Sequence, residues 1–492
     1  MRSFQSHSLS FKRVFLSLLI GGGVLIPSAY AAKKGSVQVL ETSNTRSVDL
    51  RRSELKLNNG YDNNSLQINL NPAVRYQEMD GFGAAVTGSS CFNLMKMSKS
   101  NRMKFLKETF DPHKGLGYSY IRIAIGCSDF SMSEYTCCDT KGIENFALQS
   151  EELDYIIPIL KEILKINPDI KILGSPWTPP RWMKVNNLGE KQPFDSWTSG
   201  HLNPDYYEDY GTYFVKWINA FEKEGIKITA VTPQNEPLNR KNSASLFMGW
   251  DEQRDFVKKG LGPKLREAGL NTKIYVFDHN YNYDKMEDQQ SYPLKIYQDS
   301  EADQYITGAA YHDYGGNRLE LNKIHNARPD RELLFTETSI GTWNRGQDLG
   351  VRLIGDMENV GLGTVNNWCK GVIVWNLMLD SDRGPWRELG CKTCYGAVDI
   401  DRADFKTITR NSHYYIIGHL SAFVKPGAVR IDGNNQSAEG IIYAAFENTD
   451  GTYALVLLNK NEKDTKVTVT VDNNSFVHTV LAQSVVSYKW RK

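Results

Sequence analysis

The feature that most constrains the fold is a repeated alternation of short β-strand patterns with longer helical patterns through the middle of the chain. Eight strands are predicted at Gly83–Val86, Ser119–Ile125, Ile170–Gly174, Lys227–Val231, Lys273–Phe277, Thr307–Tyr311, Glu332–Phe335 and Gly371–Trp375. Amphipathic helical stretches separate them, including Glu151–Ile166, Pro204–Glu224, Asp251–Ala268 and Asp348–Asn367. Eight β-then-α units predict an α/β protein with a (β/α)₈ TIM barrel. No Gly-x-Gly-x-x-Gly follows any predicted strand, which argues against a dinucleotide-binding sheet.

Both ends of the chain carry strand patterns of a different kind. Ser65–Leu70 and Lys466–Val471 alternate polar and apolar residues, Tyr453–Leu458 is a continuous apolar run, and Val485–Trp490 is another strand candidate. No helical pattern intervenes after about residue 425. We therefore predict a side β-sandwich built from residues 32–75 and 425–492 together, with the barrel at residues 76–424 between them.

The first 31 residues have the pattern of an export signal. Arg2, Lys12 and Arg13 precede the apolar run Val14–Pro27, and Ser28-Ala29-Tyr30-Ala31 supplies a small-x-small cleavage site. No later stretch approaches the ~18 apolar residues that a membrane span requires. We expect a signal peptide at residues 1–31 and a secreted or periplasmic protein without stable membrane insertion.

Charge and cysteine content narrow the function classes. The 58 Lys and Arg against 57 Asp and Glu give a net charge of +1, so no basic footprint for nucleic acid is present. The seven cysteines are an odd number, which leaves at least one without an intrachain partner. Cys391-x-x-Cys394 is the expected local pair. A single Cys-x-x-Cys in an exported chain favours disulfides or buried thiols over a zinc site, and we expect no metal.

Two glutamates lie where barrel strands end. Glu236 follows the fourth predicted strand in Asn235-Glu236-Pro237, and Glu337 follows the seventh in Phe335-Thr336-Glu337. One such glutamate is more often a surface acid, but two at the carboxyl ends of barrel strands face each other across the active-site mouth. Glycoside hydrolysis needs this pair, one carboxylic acid for the leaving oxygen and one carboxylate for the sugar.

A series of motifs then resembles one family along nearly the whole chain after the signal. The motifs are Asp80-Gly81-Phe82-Gly83-Ala84-Ala85, Tyr120-Ile121-Arg122-Ile123, Cys127-Ser128-Asp129-Phe130-Ser131, residues 174–184, the Asn235-Glu236-Pro237 loop, Tyr311-His312-Asp313-Tyr314, Phe335-Thr336-Glu337 and Trp375-Asn376. In this order and spacing they resemble glycoside hydrolase family 30, the glucosylceramidase and endo-β-1,6-glucanase family of retaining glycosidases.

The resemblance implies roles for the two glutamates and a neighbour. Glu236 is the implied general acid/base and Glu337 the implied nucleophile. Asn235 is expected to bond the sugar 2-hydroxyl, a contact that strengthens in the transition state. The acid must hold a proton near neutral pH, and we expect like-charge repulsion from Glu337 to raise its pKa.

Six further residues are predicted to bind substrate or support the site. Arg122 is expected to pair with a carboxylate such as Glu337, the alternative being a non-catalytic acid. Asp129 and Trp177 are implied contacts of the sugar, as hydroxyl acceptor and stacking platform; a turn or helix cap and plain packing are the alternatives. Among His312, Tyr314 and Trp375, the tyrosine is expected to orient the nucleophile. The histidine and the tryptophan also fit purely structural roles.

The substrate remains open within the family's range. The motifs lie nearest the glucose-recognising members, although Arg383 and Arg387 leave glucuronate recognition open. We predict a retaining endo-β-1,6-glucanase acting on β-glucan as a monomer without cofactor. The alternatives are a glucosylceramidase or another β-glucosidase or xylanase of the family. A non-catalytic polysaccharide-binding protein is the alternative from another class, although it would not need both glutamates.

Overall fold

The computed structural model describes residues 35–434, 436–437 and 440–491. Its centre is a closed barrel of eight parallel strands, ordered around the barrel as they follow along the chain. The strands are Gly81–Ala85, Tyr120–Ala124, Lys171–Ser175, Ala230–Val231, Lys273–Asn280, Gly308–His312, Glu332–Glu337 and Cys369–Asn376. The predicted fold class is confirmed, and each barrel strand overlaps a predicted one. The predicted signal peptide lies outside the described residues.

The barrel strands differ from the predicted ones mainly at two places. The fourth is only Ala230–Val231, although the backbone of Thr229 still bonds Ile172 and Lys273 on either side. The fifth runs on to Asn280, with positive φ at Phe277 and Asp278 and a shift of register against the sixth strand. Positive φ costs energy for residues with a side chain, and such strain is common at functional sites.

Helices surround the barrel and cover the outer faces of its strands. The α-helices are Gly88–Lys96, Lys99–Phe110, Ile157–Ile166, Tyr207–Lys223, Trp250–Phe256, Gly262–Glu267, Tyr292–Tyr297, Ser300–Asp303, Leu319–Ala327, Leu349–Asp356, Leu362–Val365 and Ser412–Phe423. Three π-helical turns adjoin these helices, at Glu152–Ile156, Val257–Leu261 and Met357–Gly361. In the part of the chain that the structure describes, no helix has the length and apolar composition of a bilayer span.

The apolar side chains inside the barrel form a cluster separate from those between the barrel and its helices. Seven inward side chains, one from each strand except the first, fill the barrel: Tyr120, Leu173, Ala230, Tyr275, Ala310, Leu334 and Ile373. This packing closes the barrel as a core and leaves the site to the loops at the carboxyl ends of the strands. Short strand pairs extend those loops, at Lys184–Val185 with His201–Leu202 and at Ile340–Gly341 with Cys394–Tyr395. A three-stranded sheet, Met378–Asp380, Val398–Ile400 and Ile408–Arg410, follows the eighth strand.

Strands from both ends of the chain form one nine-stranded sheet beside the barrel. They are Ser36–Ser43, Arg51–Lys56, Leu66–Glu78, Val429–Gly433, Ile441–Glu447, Thr452–Asn459, Thr465–Val471, Asn474–Val480 and Ser484–Arg491. The sheet curves onto itself as a sandwich. This is seen from Phe476 on an edge strand and Tyr488 on a strand six places away in the sheet order, whose ring centres are 5.1 Å apart. The buried helix Ser412–Phe423 joins the sandwich to the barrel, with His419 bonded to Thr42 and Ser487 at 2.9 Å.

Candidate active site

Two buried carboxylates face each other at the carboxyl end of the barrel. Glu337 is the last residue of the seventh strand, and Glu236 lies in the turn after the fourth. Glu236 has φ 43°, and its N–H donates to the Asp278 carbonyl at 3.0 Å. A carboxylate oxygen of Glu236 and one of Glu337 lie within 4.8 Å of each other. The two groups therefore reach one substrate atom from different strands.

Arg122 is completely buried beneath this pair. Its guanidinium donates to Glu337, and it donates to Asp278 and Asn235 at 2.7 Å each. Both alternatives considered for its partner thus occur together, a catalytic candidate and a second acid. Two fixed carboxylates compensate the desolvation of the buried cation. Because its amide oxygen faces Arg122, Asn235 holds the arginine in the orientation that reaches Glu337.

Asp278 is a central residue that the sequence analysis missed. It is fully buried at the strained end of the fifth strand and accepts hydrogen bonds from Ser175, Thr232 and Thr336 as well as from Arg122. Burial raises its pKa, but Arg122 and His312 outweigh that effect and hold the pKa well below the ordinary value. The signal was available, since Asp278-His279-Asn280 follows an apolar strand at the same barrel end as the two glutamates.

His312 lies between two carboxylates. Its Nδ1 is 3.3 Å from Glu236 Oε1, and its Nε2 is 3.0 Å from Asp278 Oδ1. Burial would lower its pKa, but Glu337 and the two bonded carboxylates raise the pKa to about 9. His312 is completely buried and is not among the residues that line the catalytic cavity, so its direct contact with substrate stays a prediction. Its ring connects Glu236 to Asp278.

The electrostatics of Glu236 differ from the expectation. Burial raises its pKa, but His279 and His312, with a hydrogen bond from Asn239, outweigh burial and lower the pKa to about 2. The prediction that Glu337 raises the pKa of Glu236 in the free protein is therefore wrong. The reason is geometric: the negative charge of Glu337 is compensated by Arg122, whereas Glu236 faces two imidazoles. Glu337 itself has a raised pKa, because burial outweighs His312 and Arg122.

A cavity of about 350 Å³ opens above these groups. Asp129, Tyr314 and Trp375 line it together with both glutamates. The Tyr314 hydroxyl donates to Glu337 Oε1 at 3.0 Å. Asp129 is 8% exposed, and burial first, then Glu337 and Glu236, raises its pKa to about 8. The next helical turn after Asp129 begins only at Ile143, so its carboxylate is not a helix cap.

The two predicted tryptophans stack on each other. The rings of Trp177 and Trp375 lie 5.2 Å apart at 27°, and Arg122 lies within 5.4 Å of both ring centres. Only Trp375 lines the catalytic cavity. Trp177 is 2% exposed and packs against Trp375, and its contact with the sugar stays a prediction. Trp375 is itself only 4% exposed, and it is the tryptophan of this pair that reaches the cavity.

The loop after the eighth strand closes one side of the cavity. Cys391 and Cys394 form a disulfide and line the cavity, and the other five cysteines are buried free thiols. In the same loop the buried Arg387 pairs with Glu134 at 2.7 Å and donates to the Ser133 carbonyl at 2.9 Å. Because its charge is already paired, Arg387 does not offer a free guanidinium for the carboxylate of a glucuronate.

Within the described residues, one group of side chains could bring three metal-ligating atoms together: Glu236, His312 and Glu337. Each of these three side chains is already bonded to another protein side chain. Arg122 and Tyr314 bond Glu337, and Asp278 bonds His312. This arrangement is a network of proton donors and acceptors, which suits acid–base and nucleophilic chemistry.

Comparisons with known proteins identify the family of the chain. The model of the glycosyl hydrolase family 30 TIM-barrel domain matches residues 79–424, and that of the family 30 β-sandwich domain matches residues 427–488. A solved structure titled the endo-β-1,6-glucanase BT3312 is 64% identical, with a TM-score of 0.91, over 93% of this chain and 100% of that one.

Two curated relatives are similar over most of their length. Endo-1,6-β-D-glucanase of Neurospora crassa is 32% identical over 82% of this chain and 83% of its own. Lysosomal acid glucosylceramidase of Mus musculus is 27% identical over 87% of this chain and 84% of its own. The resemblance drawn from the motifs is therefore confirmed.

Proposed function

The chain belongs to glycosyl hydrolase family 30 and is a glycosidase, and from this premise we propose that it cleaves β-1,6-linked glucan within the chain, with retention of configuration. The observation that carries the mechanism is the pair of carboxylates with oxygens within 4.8 Å of each other. Retaining enzymes hold their carboxyl groups ~5–5.5 Å apart, whereas inverting enzymes leave ~6.5–9.5 Å for a water. The site therefore suits direct attack on the sugar.

Glu337 acts as the nucleophile in this proposal. Its carboxylate attacks the anomeric carbon, the glycosidic C–O bond breaks, and a covalent glycosyl-enzyme forms. Arg122 and Tyr314 both donate to Glu337, and these hydrogen bonds favour its anionic form. They also fix the orientation of the carboxylate toward the cavity, so that attack needs little rearrangement.

Glu236 acts as acid and then as base. In the free enzyme the proton that it must deliver resides on His312, whose Nδ1 is 3.3 Å from Glu236 Oε1. Transfer along this contact gives neutral His312 and protonated Glu236, which donates the proton to the leaving oxygen. In the second step Glu236 takes a proton from water, and the water oxygen displaces Glu337 from the sugar.

The linkage follows from similarity to proteins of named activity. The solved structure that is 64% identical to this chain carries the name of an endo-β-1,6-glucanase, as does the relative from Neurospora crassa. The glucosylceramidase similarity is weaker, at 27% identity. The paired Arg387 also argues against a glucuronate-dependent xylanase. We therefore expect glucan with β-1,6 bonds to be the preferred substrate.

The test of the linkage is product analysis on a substrate panel. Purified enzyme is incubated with β-1,6-, β-1,3- and β-1,4-glucans, xylan and glucosylceramide, and products are followed by chromatography over time. Early oligosaccharides from the β-1,6-glucan alone support the proposal. Glucose as the sole early product would contradict endo action, and faster turnover of glucosylceramide or xylan would contradict the linkage.

The test of the residue roles combines two variants and a control. Glu337→Gln should abolish turnover, because an amide cannot form the glycosyl-enzyme. Glu236→Ala should stall at deglycosylation on substrates with a good leaving group, and azide should restore turnover as a β-glycosyl azide. Glu332→Gln is the matched control, since it removes a carboxylate from the opposite end of the seventh strand and should keep activity.

Stereochemistry decides between the two mechanisms directly. Proton NMR of the first-formed sugar from a β-linked substrate should show the β-anomer. An α-anomer appearing first would refute retention and the role of Glu337. Binding of glucan by the wild type without any product would instead support the non-catalytic alternative.

We also propose that the chain is exported by cleavage after Ala31 and acts as a monomer. The support is the basic, apolar and small-residue pattern of residues 1–31. N-terminal sequencing of the protein recovered outside the cytoplasm should begin at Ala32. Light scattering should give the mass of one chain, and a concentration-independent dimer would contradict the monomer.

A further inference from the structure

A second cavity of about 400 Å³ lies between the loops that follow the sixth and seventh barrel strands. It shares Tyr314, Ser339 and Trp343 with the catalytic cavity. Both volumes fall within the range of about 300–1,000 Å³ that small-molecule sites occupy. A polymer bound at the two glutamates could therefore extend into the second cavity, because only these three residues separate the two cavities.

Trp343 is the most prominent residue of this wall. Its side chain is 55% exposed, although its ring packs over the backbone of Gly341. The loop around it is held by hydrogen bonds, from Thr342 N–H to the Thr393 carbonyl at 2.9 Å and from Gly341 N–H to Asn344 Oδ1 at 3.0 Å. A large apolar ring that is solvent-exposed in a fixed position at the edge of two cavities is typical of a ligand contact.

The same loop is tied to the opposite wall of the catalytic cavity. Ile340–Gly341 pairs with Cys394–Tyr395, and Cys394 belongs to the disulfide that lines the catalytic cavity. Trp343 is therefore fixed relative to the reacting carboxylates. A fixed platform costs a ligand less ordering entropy than a mobile one.

The remaining wall of the second cavity is polar, and one of its two arginines is ion-paired. Its side chains include Asp313, Asn317, Arg318, Asn344, Arg352 and Asn359. Arg352 forms an ion pair with Asp356, and Arg318 donates to Asn359 Oδ1. Because Asp356 neutralises Arg352 and the amide side chains offer both donors and acceptors, this wall suits a neutral ligand with many hydroxyl groups.

The position of the cavity identifies the part of the substrate that reaches it. Asp129 and Trp375, the expected contacts of the sugar that is attacked, come from the loops after the second and eighth strands. The second cavity lies beyond Tyr314, on the side of the sixth and seventh strands. A chain extending from the attacked sugar past Trp343 is therefore the departing part of the glucan.

We propose that the second cavity binds a glucosyl unit of the leaving chain, with Trp343 as the stacking platform that the chain crosses to reach it. The inference rests on the proposed function, since it requires a glucan that extends beyond the cleaved bond. Its consequence is a rate that depends on the length of the leaving chain. Trp343 then acts on substrate preference and not on the chemistry itself.

The test compares substrates with and without a leaving chain. Values of kcat/KM are measured for 2,4-dinitrophenyl β-glucoside, the corresponding β-gentiobioside, and β-1,6-gluco-oligosaccharides of increasing length. Trp343→Ala should lower the values for the longer oligosaccharides about tenfold while changing those for both aryl substrates less than about twofold. Trp343→Phe keeps an aromatic face and should recover most of the loss. Tyr61→Ala removes another aromatic side chain, 56% exposed, and is the control.

Three results would overturn the inference. An equal loss on aryl substrates and oligosaccharides would mean that Trp343 merely supports the catalytic site. A loss on the aryl gentiobioside but not on the aryl glucoside would assign the cavity to the non-reducing side. Unchanged kcat/KM values on every substrate would show that Trp343 does not contact the substrate. Failure of the wild type to cleave any β-1,6-glucan would instead refute the proposed function, and this inference with it.

Discussion

Replacing His312 by glutamine tests where the free enzyme holds the proton that Glu236 must deliver. His312 is completely buried, with its two ring nitrogens 3.3 Å from Glu236 and 3.0 Å from Asp278. Burial works against the imidazolium, yet Glu337 and the two bonded carboxylates raise the pKa from 6.5 to about 9. At 1.36 kcal/mol per pKa unit, this shift corresponds to about 3 kcal/mol in favour of the protonated ring.

The sign of the effect on rate follows from this shift. A raised pKa keeps the His312–Glu236 pair protonated at neutral pH and releases the proton as the pH rises through about 9. The wild type should therefore lose kcat/KM on glucan only above that pH. Glutamine can bond the same neighbours but cannot carry the proton. Glu236 must then hold it alone, and we expect the alkaline limb to move down by several pH units, toward the ordinary glutamate pKa of ~4.3.

The assay is a pair of pH profiles for each enzyme form, one on β-1,6-glucan and one on 2,4-dinitrophenyl β-glucoside. The aryl leaving group needs no protonation, so its alkaline limb should stay in place. His279→Gln is the matched control: its Nε2 is 3.9 Å from Glu236 Oε1, and burial lowers the pKa of His279. An unmoved limb in His312→Gln, or equal movement in both variants, would refute the assignment of the proton to His312.

Three further outcomes are expected from other parts of the molecule. Alkylation under denaturing, non-reducing conditions should modify five thiols, because Cys391 and Cys394 are joined; seven modified thiols in the mass spectrum would reject the disulfide. Deleting the residues after 425 should give insoluble or inactive protein, because it exposes the buried face of the helix Ser412–Phe423, and a soluble, fully active barrel would contradict this. Arg122→Met leaves Asp278 and Glu337 buried without their cation and should lower the free energy of unfolding by about 3–5 kcal/mol in denaturant titrations. An unchanged unfolding midpoint and slope would show that the ion pairs are not needed for stability.

Much of the site was predictable because barrel strands deliver their last residues to one end. The periodic pattern located the fourth and seventh strands, and Glu236 and Glu337 followed from it without knowledge of any distance. Asp278 was missed for a local reason. Asp278-His279-Asn280 marked the same barrel end, but the backbone has positive φ at Phe277 and Asp278, and no pattern of side chains reveals that this conformation brings Asp278 to Arg122.

The roles of the aromatic residues depend on how deeply each ring is buried below the cavity surface, and the sequence does not give that information. Trp177 and Trp375 are both tryptophans at strand ends, and either could face a sugar. In the structure they stack, and only Trp375 reaches the cavity wall. Trp343 belongs to none of the motifs in the sequence analysis. Only the structure identifies it as a candidate, because its exposed ring lies between two cavities.

The sequence by itself determined the barrel, the sandwich and the strand ends, because hydrophobic period and turn residues are local properties of the chain. Tertiary structure alone decided where the charges of the site reside. Arg122, Glu236, Asp278, His312 and Glu337 come from five different barrel strands or the turns that follow them, and their pKa values depend on distances of a few ångströms between them. The expectation for Glu236 failed for that reason: the sequence placed Glu337 opposite it, but only the folded chain compensates Glu337 with Arg122 and sets His312 against Glu236.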